Sequence, residues 1–432
     1  VVYLDVPSFN SSNASDIHSS IEGLIGSDFE DVLVGNSGSN HVFGGDGSDV
    51  VDGLGGDDLV SGDDGNDTLY GGDDNDTLNG GAGDDRFNDT SGNTLFFGGT
   101  GVDTVDYRFS TSGILANLDA NTSSIGDTFA NVEWIFGSIS GNDTLVGNTQ
   151  DNLLSGSGGA DSLAGGGGND SLLGGTGNDT LEGGDGDDSM TGGTGDDELF
   201  GGDNDDTLDG GEGADFLNGG GGVDEASYLS ANGGVTADLQ TAGNNTGAAA
   251  GDTYSSIEDL RGTNQNDRLA GNAAGNIIYA GTGDDRILGR DGGDQLFGND
   301  GNDFIYGNAG DDDLYGGEGD DRLYGGTGVD TLSGGDDDDY LRDESGNTTF
   351  NGGQGEDTVV YWGSTTSVIV NLGADSSSLG DNFTSIEGVL GSNIVGDTLI
   401  GDGGDNELDG AGGNDSLVGG FGFDTLIGGA GD

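Results

Sequence analysis

Gly174-Gly175-Thr176-Gly177-Asn178-Asp179-Thr180-Leu181 is one copy of a nine-residue unit, Gly-Gly-x-Gly-x-Asp-x-apolar-x, that recurs along most of the chain. Another copy reads Gly298-Asn299-Asp300-Gly301-Asn302-Asp303-Phe304-Ile305. The step is strict: in the first run the apolar position falls at Val42, Val51, Val60, Leu69, Leu78, Phe87, Phe96 and Val105. One apolar residue per unit cannot fill a layered core, but it supplies the thin stripe of a solenoid whose short strands stack. The reading is an all-β chain, a parallel β-roll in which two units make one coil and turns eighteen residues apart lie over one another. Glycines at positions one, two and four then form a six-residue turn, and the x-apolar-x remainder forms a short strand.

Composition sets the second constraint. Among 432 residues there are 98 Gly, 82 acidic side chains and 8 basic ones, for a formal charge of −74. A chain this polar does not bury enough apolar area to offset its ordering entropy, so a bound cation has to tip the balance. All eight basic residues are Arg, scattered through the sequence, so no basic patch is expected and nucleic acid is excluded as a partner. Cysteine is absent, which removes disulfides and thiolate sites together and leaves a metal as the staple for a chain outside the cell. No apolar run is long enough to span a membrane, and Val1-Val2-Tyr3-Leu4 lacks the start of a secretory signal.

Four runs of repeats are in register, with Asp at position six. The first holds Asp31, Asp49, Asp58, Asp67, Asp76, Asp85 and Asp103; the second Asp143, Asp161, Asp170, Asp179, Asp188, Asp197, Asp206, Asp215 and Asp224. The third holds Asp267, Asp285, Asp294, Asp303, Asp312, Asp321, Asp330, Asp339 and Asp357, and the fourth Asp397, Asp415 and Asp424. The second turn of each run has Asn instead (Asn40, Asn152, Asn276, Asn406), a neutral acceptor expected at the end of each ladder. Two late turns, Asp89 to Thr94 and Asp343 to Thr348, lose their glycine pair and are expected to lack a full site. The organisation expected is a partial β-rich insert at 1–30, roll blocks at 31–105, 143–227, 267–360 and 397–432, and inserts at 106–142, 228–266 and 361–396. Within the last insert, Val368 to Leu372 alternates as a strand, and Asp381 to Glu387 reads as one helical turn capped by Asp381.

Calcium is the ion this spacing calls for. Turn carbonyls pointing inward and an Asp oxygen ending each turn are hard ligands, and stacked turns share ions to reach the six to eight oxygens required. On the eighteen-residue step, Asp49, Asp67 and Asp85 lie along one edge, Asp58 and Asp76 along the other. The Asp residues above, about 28, would offset about 56 of the 74 negative charges at two charges per ion, so about 20–30 calcium ions are expected. Without them, carboxylates stacked about 4.8 Å apart repel, and binding energy becomes folding energy.

Through these tandem motifs the chain resembles the RTX (repeats-in-toxin) calcium-binding family. The resemblance implies a parallel β-roll, export through a type I system as an unfolded chain, and folding in extracellular calcium. What departs from the family's better-known enzymes is the lack of any recognisable catalytic domain in this sequence. The leading expectation is a secreted, non-enzymatic structural protein, a calcium-stiffened rod in a bacterial surface layer, filament, sheath or adhesin. The alternative is the carrier module of a secreted enzyme or toxin whose catalytic domain lies elsewhere. The expected partners are calcium, copies of the chain stacked end to end and a cell-surface polysaccharide. Gly428 to Asp432 stops inside a repeat, which reads either as a slice of a longer array or as an end that stacks.

Other residues carry less. His18 and His41 form no His-Glu-x-x-His pair and read as ordinary surface residues. The recurring insert acids, Asp16 with Glu22, Asp127 with Glu133, Asp252 with Glu258 and Asp381 with Glu387, either cap turns or ligate an extra calcium. Tyr70, Phe200, Tyr306, Tyr315 and Tyr324 are expected in an outward row nine residues apart, as a contact surface or as cover for neighbouring strands.

Overall fold

The computed structural model describes residues 2–3, 22–89 and 91–431. Asp16, His18, most of the segment 1–30, Thr90 and Asp432 lie outside the described residues. The chain divides into two units, Val1–Gly222 and Val223–Asp432, and each is a β-solenoid of short, mostly parallel strands. The only helical pieces among the described residues are three-residue 3-10 turns at Ala242–Asn244, Gly247–Ala249 and Leu372–Ala374.

In the first unit each strand pairs with the strand one coil on. His41–Asp46, Leu59–Asp64, Thr77–Ala82 and Leu95–Thr100 stack in register, aligning Val42, Val60, Leu78 and Phe96. The intervening strands form the opposite stack and align Val51, Leu69, Phe87 and Val105. All eight side chains are at most 1% exposed, so the two rows meet as one narrow core. The second unit repeats the scheme with Ile287, Ile305, Leu323 and Leu341 facing Ile278, Leu296, Leu314 and Leu332.

The expected strand length is corrected. The strands run six residues, as in His41–Asp46, not three, and take in the first three positions of the next unit. The ladder continues past the glycine pair because Gly45 still sits opposite Asp63 and Asp46 opposite Asp64. Position two takes positive φ, but Leu54 and Arg290 adopt it as well, at 75° and 87°. Position four likewise takes positive φ, with Asp74, Asn204 and Asp337 adopting it at 81°, 83° and 73°; at Gly310, where φ is 143°, a Cβ would land on the carbonyl oxygen of Gly292 one coil earlier.

The segments without glycine repeats stay on the same stacks. In the first unit Thr128–Ala130 pairs with Leu95–Thr100, placing the Phe129 ring 5.9 Å from Phe96. In the second, Asn382–Thr384 pairs with Thr349–Gln354 and sets Phe383 against Phe350 at the same distance. Ile369–Asn371 is the strand expected there. The helical turn expected after Asp381 is instead the strand Asn382–Thr384, because Phe383 has to extend onto the core stack. The aromatic rows also differ from expectation. They step by eighteen residues, as in Tyr306 on Tyr324 and Phe297 on Tyr315, since a nine-residue step crosses to the opposite sheet.

Candidate metal-binding ladders

The sixth-position side chains form ladders in which each carboxylate holds the coil before it. Oδ1 of Asp49 accepts the N–H of Asp31, Asp67 that of Asp49, Asp85 that of Asp67 and Asp103 that of Asp85, at 2.7–2.9 Å. The other edge of that run links Asn40 to Asp58 and Asp58 to Asp76 in the same way. Run two carries Asp143, Asp161, Asp179, Asp197 and Asp215 on one edge and Asn152, Asp170, Asp188 and Asp206 on the other. Run three carries Asp267, Asp285, Asp303, Asp321, Asp339 and Asp357, opposite Asn276, Asp294, Asp312 and Asp330. In run four Asp397 links to Asp415 and Asn406 to Asp424.

The second oxygen is the informative one. Oδ2 of Asp49, Asp58, Asp67, Asp76, Asp85, Asp103, Asp161, Asp170, Asp179, Asp188 and Asp197 is buried and accepts no hydrogen bond. The same is true of Asp285, Asp294, Asp303, Asp312, Asp321, Asp339, Asp357 and Asp415. A buried anionic oxygen with no donor is costly, and one per coil in tandem is a demand for positive charge. Burial pushes the carboxyls of Asp58, Asp85, Asp170, Asp197, Asp285 and Asp294 up to about 7, with neighbouring ladder carboxylates adding to it and the accepted N–H opposing it. Asp321, with Asp303 and Asp339 on either side, is pushed up to about 8 by the same burial.

The space around Oδ2 is made by glycine. At Gly298 a Cβ would collide with Oδ2 of Asp303 and come within 2.7 Å of the Gly316 carbonyl oxygen. Carboxylate and carbonyl oxygens thus converge where position one has no side chain. Among the described residues no three His, Cys, Asp or Glu side chains gather at one point. A cation held here takes its remaining oxygens from backbone carbonyls, which suits a hard ion such as calcium and not a soft one.

The opening Asp of each run has a different geometry. Oδ2 of Asp31, Asp143, Asp267 and Asp397 accepts the N–H of Ser27, Ser138, Thr263 and Ser392, at 2.6–2.8 Å. All four follow the first glycine of the turn without positive φ, Ser27 and Thr263 at position two and Ser138 and Ser392 in turns one residue longer, which turns their N–H toward the carboxylate instead of away from it. The Asn turns close similarly: Oδ1 of Asn40, Asn152, Asn276 and Asn406 takes the N–H of Asn36, Asn148, Asn272 and Asp402. Three of these amides also donate Nδ2 to the backbone carbonyls of Glu133, Glu258 and Glu387. Residue type alone does not separate these closed turns from the open ones, since Ser157 in the open turn of Asp161 takes positive φ; what the sequence does show is that the turns ending at Asp143 and Asp397 are one residue longer.

The insert acids extend the ladders. Oε2 of Glu133, Glu258 and Glu387 accepts the N–H of Asp103, Asp224 and Asp357, the last Asp of each of the first three runs. Asp127 and Asp381 accept the N–H of Thr94 and Thr348, and their other oxygens accept the buried hydroxyls of Tyr107 and Tyr361. Asp252 takes the hydroxyl of Tyr228 in the same way. In the altered turn at Asp343 the carboxylate sits at position one and accepts from Thr348 at position six, the reverse of the usual arrangement.

The chain matches the RTX calcium-binding nonapeptide repeat (4 copies) at residues 25–60, 52–87, 139–172, 164–199, 191–226, 261–296, 288–323, 324–359, 396–426 and 409–432. No curated protein matches the chain. Among the described residues no helix is long and apolar enough to cross a membrane. The matches cover more than half of the sequence and fall on the ladder-bearing coils: the chain belongs to the RTX calcium-binding nonapeptide repeat family, and its repeats bind calcium.

Proposed function

We propose that this is a secreted, calcium-folded structural protein without catalysis of its own, built to stiffen an extracellular assembly such as a surface layer, filament, sheath or adhesin stalk. The observation that carries the reading is the row of buried Oδ2 atoms without donors, repeated coil after coil in a chain of charge −74. The residues that would hold calcium are the open-turn aspartates, from Asp49 to Asp103, Asp161 to Asp197, Asp285 to Asp357, and Asp415, together with turn carbonyls. Calcium supplies the compensating charge and a preference for oxygen ligands. The chain's own residues do the rest: Oδ1 fixes the register of each coil, glycine keeps the turn open, and the Leu, Ile, Val and Phe stripe closes the core. Weak sites suit a medium rich in calcium, so the fold is an extracellular one that stays open inside a cell. Further copies of the chain are the partners that a stiffening role requires.

Calcium titration followed by circular dichroism and light scattering tests this. The expected result is a cooperative gain of β signal, with larger particles appearing at saturation. A β signal already complete in chelator would remove the calcium-folded reading, and monodisperse single chains at saturating calcium would remove the assembly role.

A further inference from the structure

The scattered arginines do not stay scattered in the fold. On the ten-stranded sheet of the second unit, position seven of five successive strands reads Arg268, Arg286, Phe304, Arg322 and Tyr340. Position nine of the same strands reads Ala270, Leu288, Tyr306, Tyr324 and Arg342. Four of the eight arginines therefore share one outward face, and none of its ten positions is acidic in a chain with 82 acidic residues. The expectation that no basic patch exists fails because an eighteen-residue register brings distant residues onto adjacent strands.

The charge on this face is available. Arg268, Arg286 and Arg322 are exposed and enter none of the ion pairs among the described residues, which involve Arg86, Arg108, Arg261, Arg290 and Arg342. Instead Arg286 lies 4.9 Å from the Tyr306 ring centre and Arg322 5.0 Å from that of Phe304, which holds the guanidinium planes without neutralising them. Tyr306 and Tyr324 stack at 4.7 Å and cover each other's faces. An open groove of about 460 Å³ beside Arg268, Arg286 and Phe304 is also lined by Asn266, Asn302 and the carboxylates of Asp267, Asp284 and Asp285.

We propose that this face is a docking strip for a carboxylated polysaccharide. Guanidinium groups pair with carboxylates in bidentate fashion. The spacing selects the polymer. Adjacent strands put Arg268 and Arg286 about 4.8 Å apart and Arg286 and Arg322 about 9.6 Å apart at the backbone. That matches an extended glycan with a carboxylate on each sugar or on alternate sugars. Duplex DNA places a charge every 3.4 Å along each strand, closer than either arginine spacing. The inference rests on the folded, calcium-loaded second unit, in which Asp285 lines the groove.

The test is binding of the full calcium-loaded chain to fluorescent hyaluronate, carboxylated on alternate sugars, with neutral dextran and single-stranded DNA as competitors. The variant Arg268→Gln, Arg286→Gln, Arg322→Gln is compared with Thr144→Glu, Ser162→Glu, Thr180→Glu, which changes net charge equally on the first unit's outer face. Dichroism in calcium checks that both variants fold. The expected result is that the arginine variant loses at least tenfold in affinity and shows a shallower salt dependence, while the control and neutral dextran have little effect. Equal loss in both variants, competition by dextran, tighter binding of DNA than of hyaluronate, or no hyaluronate binding by the native chain would each overturn the proposal.

Discussion

Asp303→Asn and Asp143→Asn are chemically the same change at the same repeat position, and the fold gives them opposite consequences. Asn at 303 keeps the Oδ1 acceptor that takes the Asp285 N–H at 2.7 Å, so the coil stays in register. What it removes is the buried oxygen without a donor. For a site of Kd about 10⁻⁴ to 10⁻³ M, losing it at 10 mM calcium costs about 1.4 to 2.7 kcal/mol through mass action alone. In chelator the sign reverses, because the substitution deletes a buried charge beside Asp285 and Asp321. Asn at 143 removes no cation oxygen of an open turn. It takes away the acceptor of the Ser138 N–H, 2.7 Å distant, and leaves that buried donor unpaired for about 1–3 kcal/mol with or without calcium. Equilibrium dialysis with metal analysis and urea melts at several calcium concentrations read both effects. Asp303→Asn is expected to lower the bound calcium count and flatten the calcium dependence of stability, while Asp143→Asn leaves the count unchanged. Equal calcium loss from both, or an unchanged count for Asp303→Asn, would refute the separation of open from closed turns.

Three other outcomes are expected. Leu314→Ala in the fully buried stripe costs about 2–5 kcal/mol in a thermal or urea melt at saturating calcium, with the calcium count unchanged. Gly310→Ala puts a methyl onto the Gly292 carbonyl and forces positive φ on alanine, so limited proteolysis should cut near that coil even in calcium. In chelator, carboxyls raised to about 7 by burial bind protons in the folded chain before they do in the unfolded one, so stability is greatest below about pH 4 and is lost as pH rises through about 7. Dichroism of the metal-free chain should gain β signal on acidification from pH 8 to 5; a loss over that range would contradict the assigned burial.

The coil, the core stripe and the position of the ladders were legible because each follows from a nine-residue period and from the chemistry of Gly and Asp. Val42 and Val60 had to align once eighteen residues made a coil. The length of the strands was not legible, since nothing in Gly44-Gly45-Asp46 announces that its backbone remains paired. Nor was the difference between Asp143 and Asp161, which depends on whether the N–H of the residue after the turn's first glycine points toward the carboxylate: Ser138, in a turn one residue longer, does so, and Ser157, where φ is 73°, does not. The role of Glu133 and Glu387 was seen only as a recurrence, because their thirty-residue reach back to Asp103 and Asp357 is a product of how the insert folds. The arginine face was hidden for a like reason: Arg268 and Arg322 are far apart in sequence and only two coils of pairing lie between Arg286 and Arg322.

The central claim is that cations occupy the pockets bounded by open-turn Oδ2 atoms. Anomalous scattering from crystals grown in calcium, or soaked with a lanthanide in its place, tests it most directly. Peaks are expected beside Oδ2 of Asp303, Asp321 and their ladder neighbours, with none touching Oδ2 of Asp143 or Asp267. Well-ordered coils with no anomalous peak along the interior of a ladder would contradict the account.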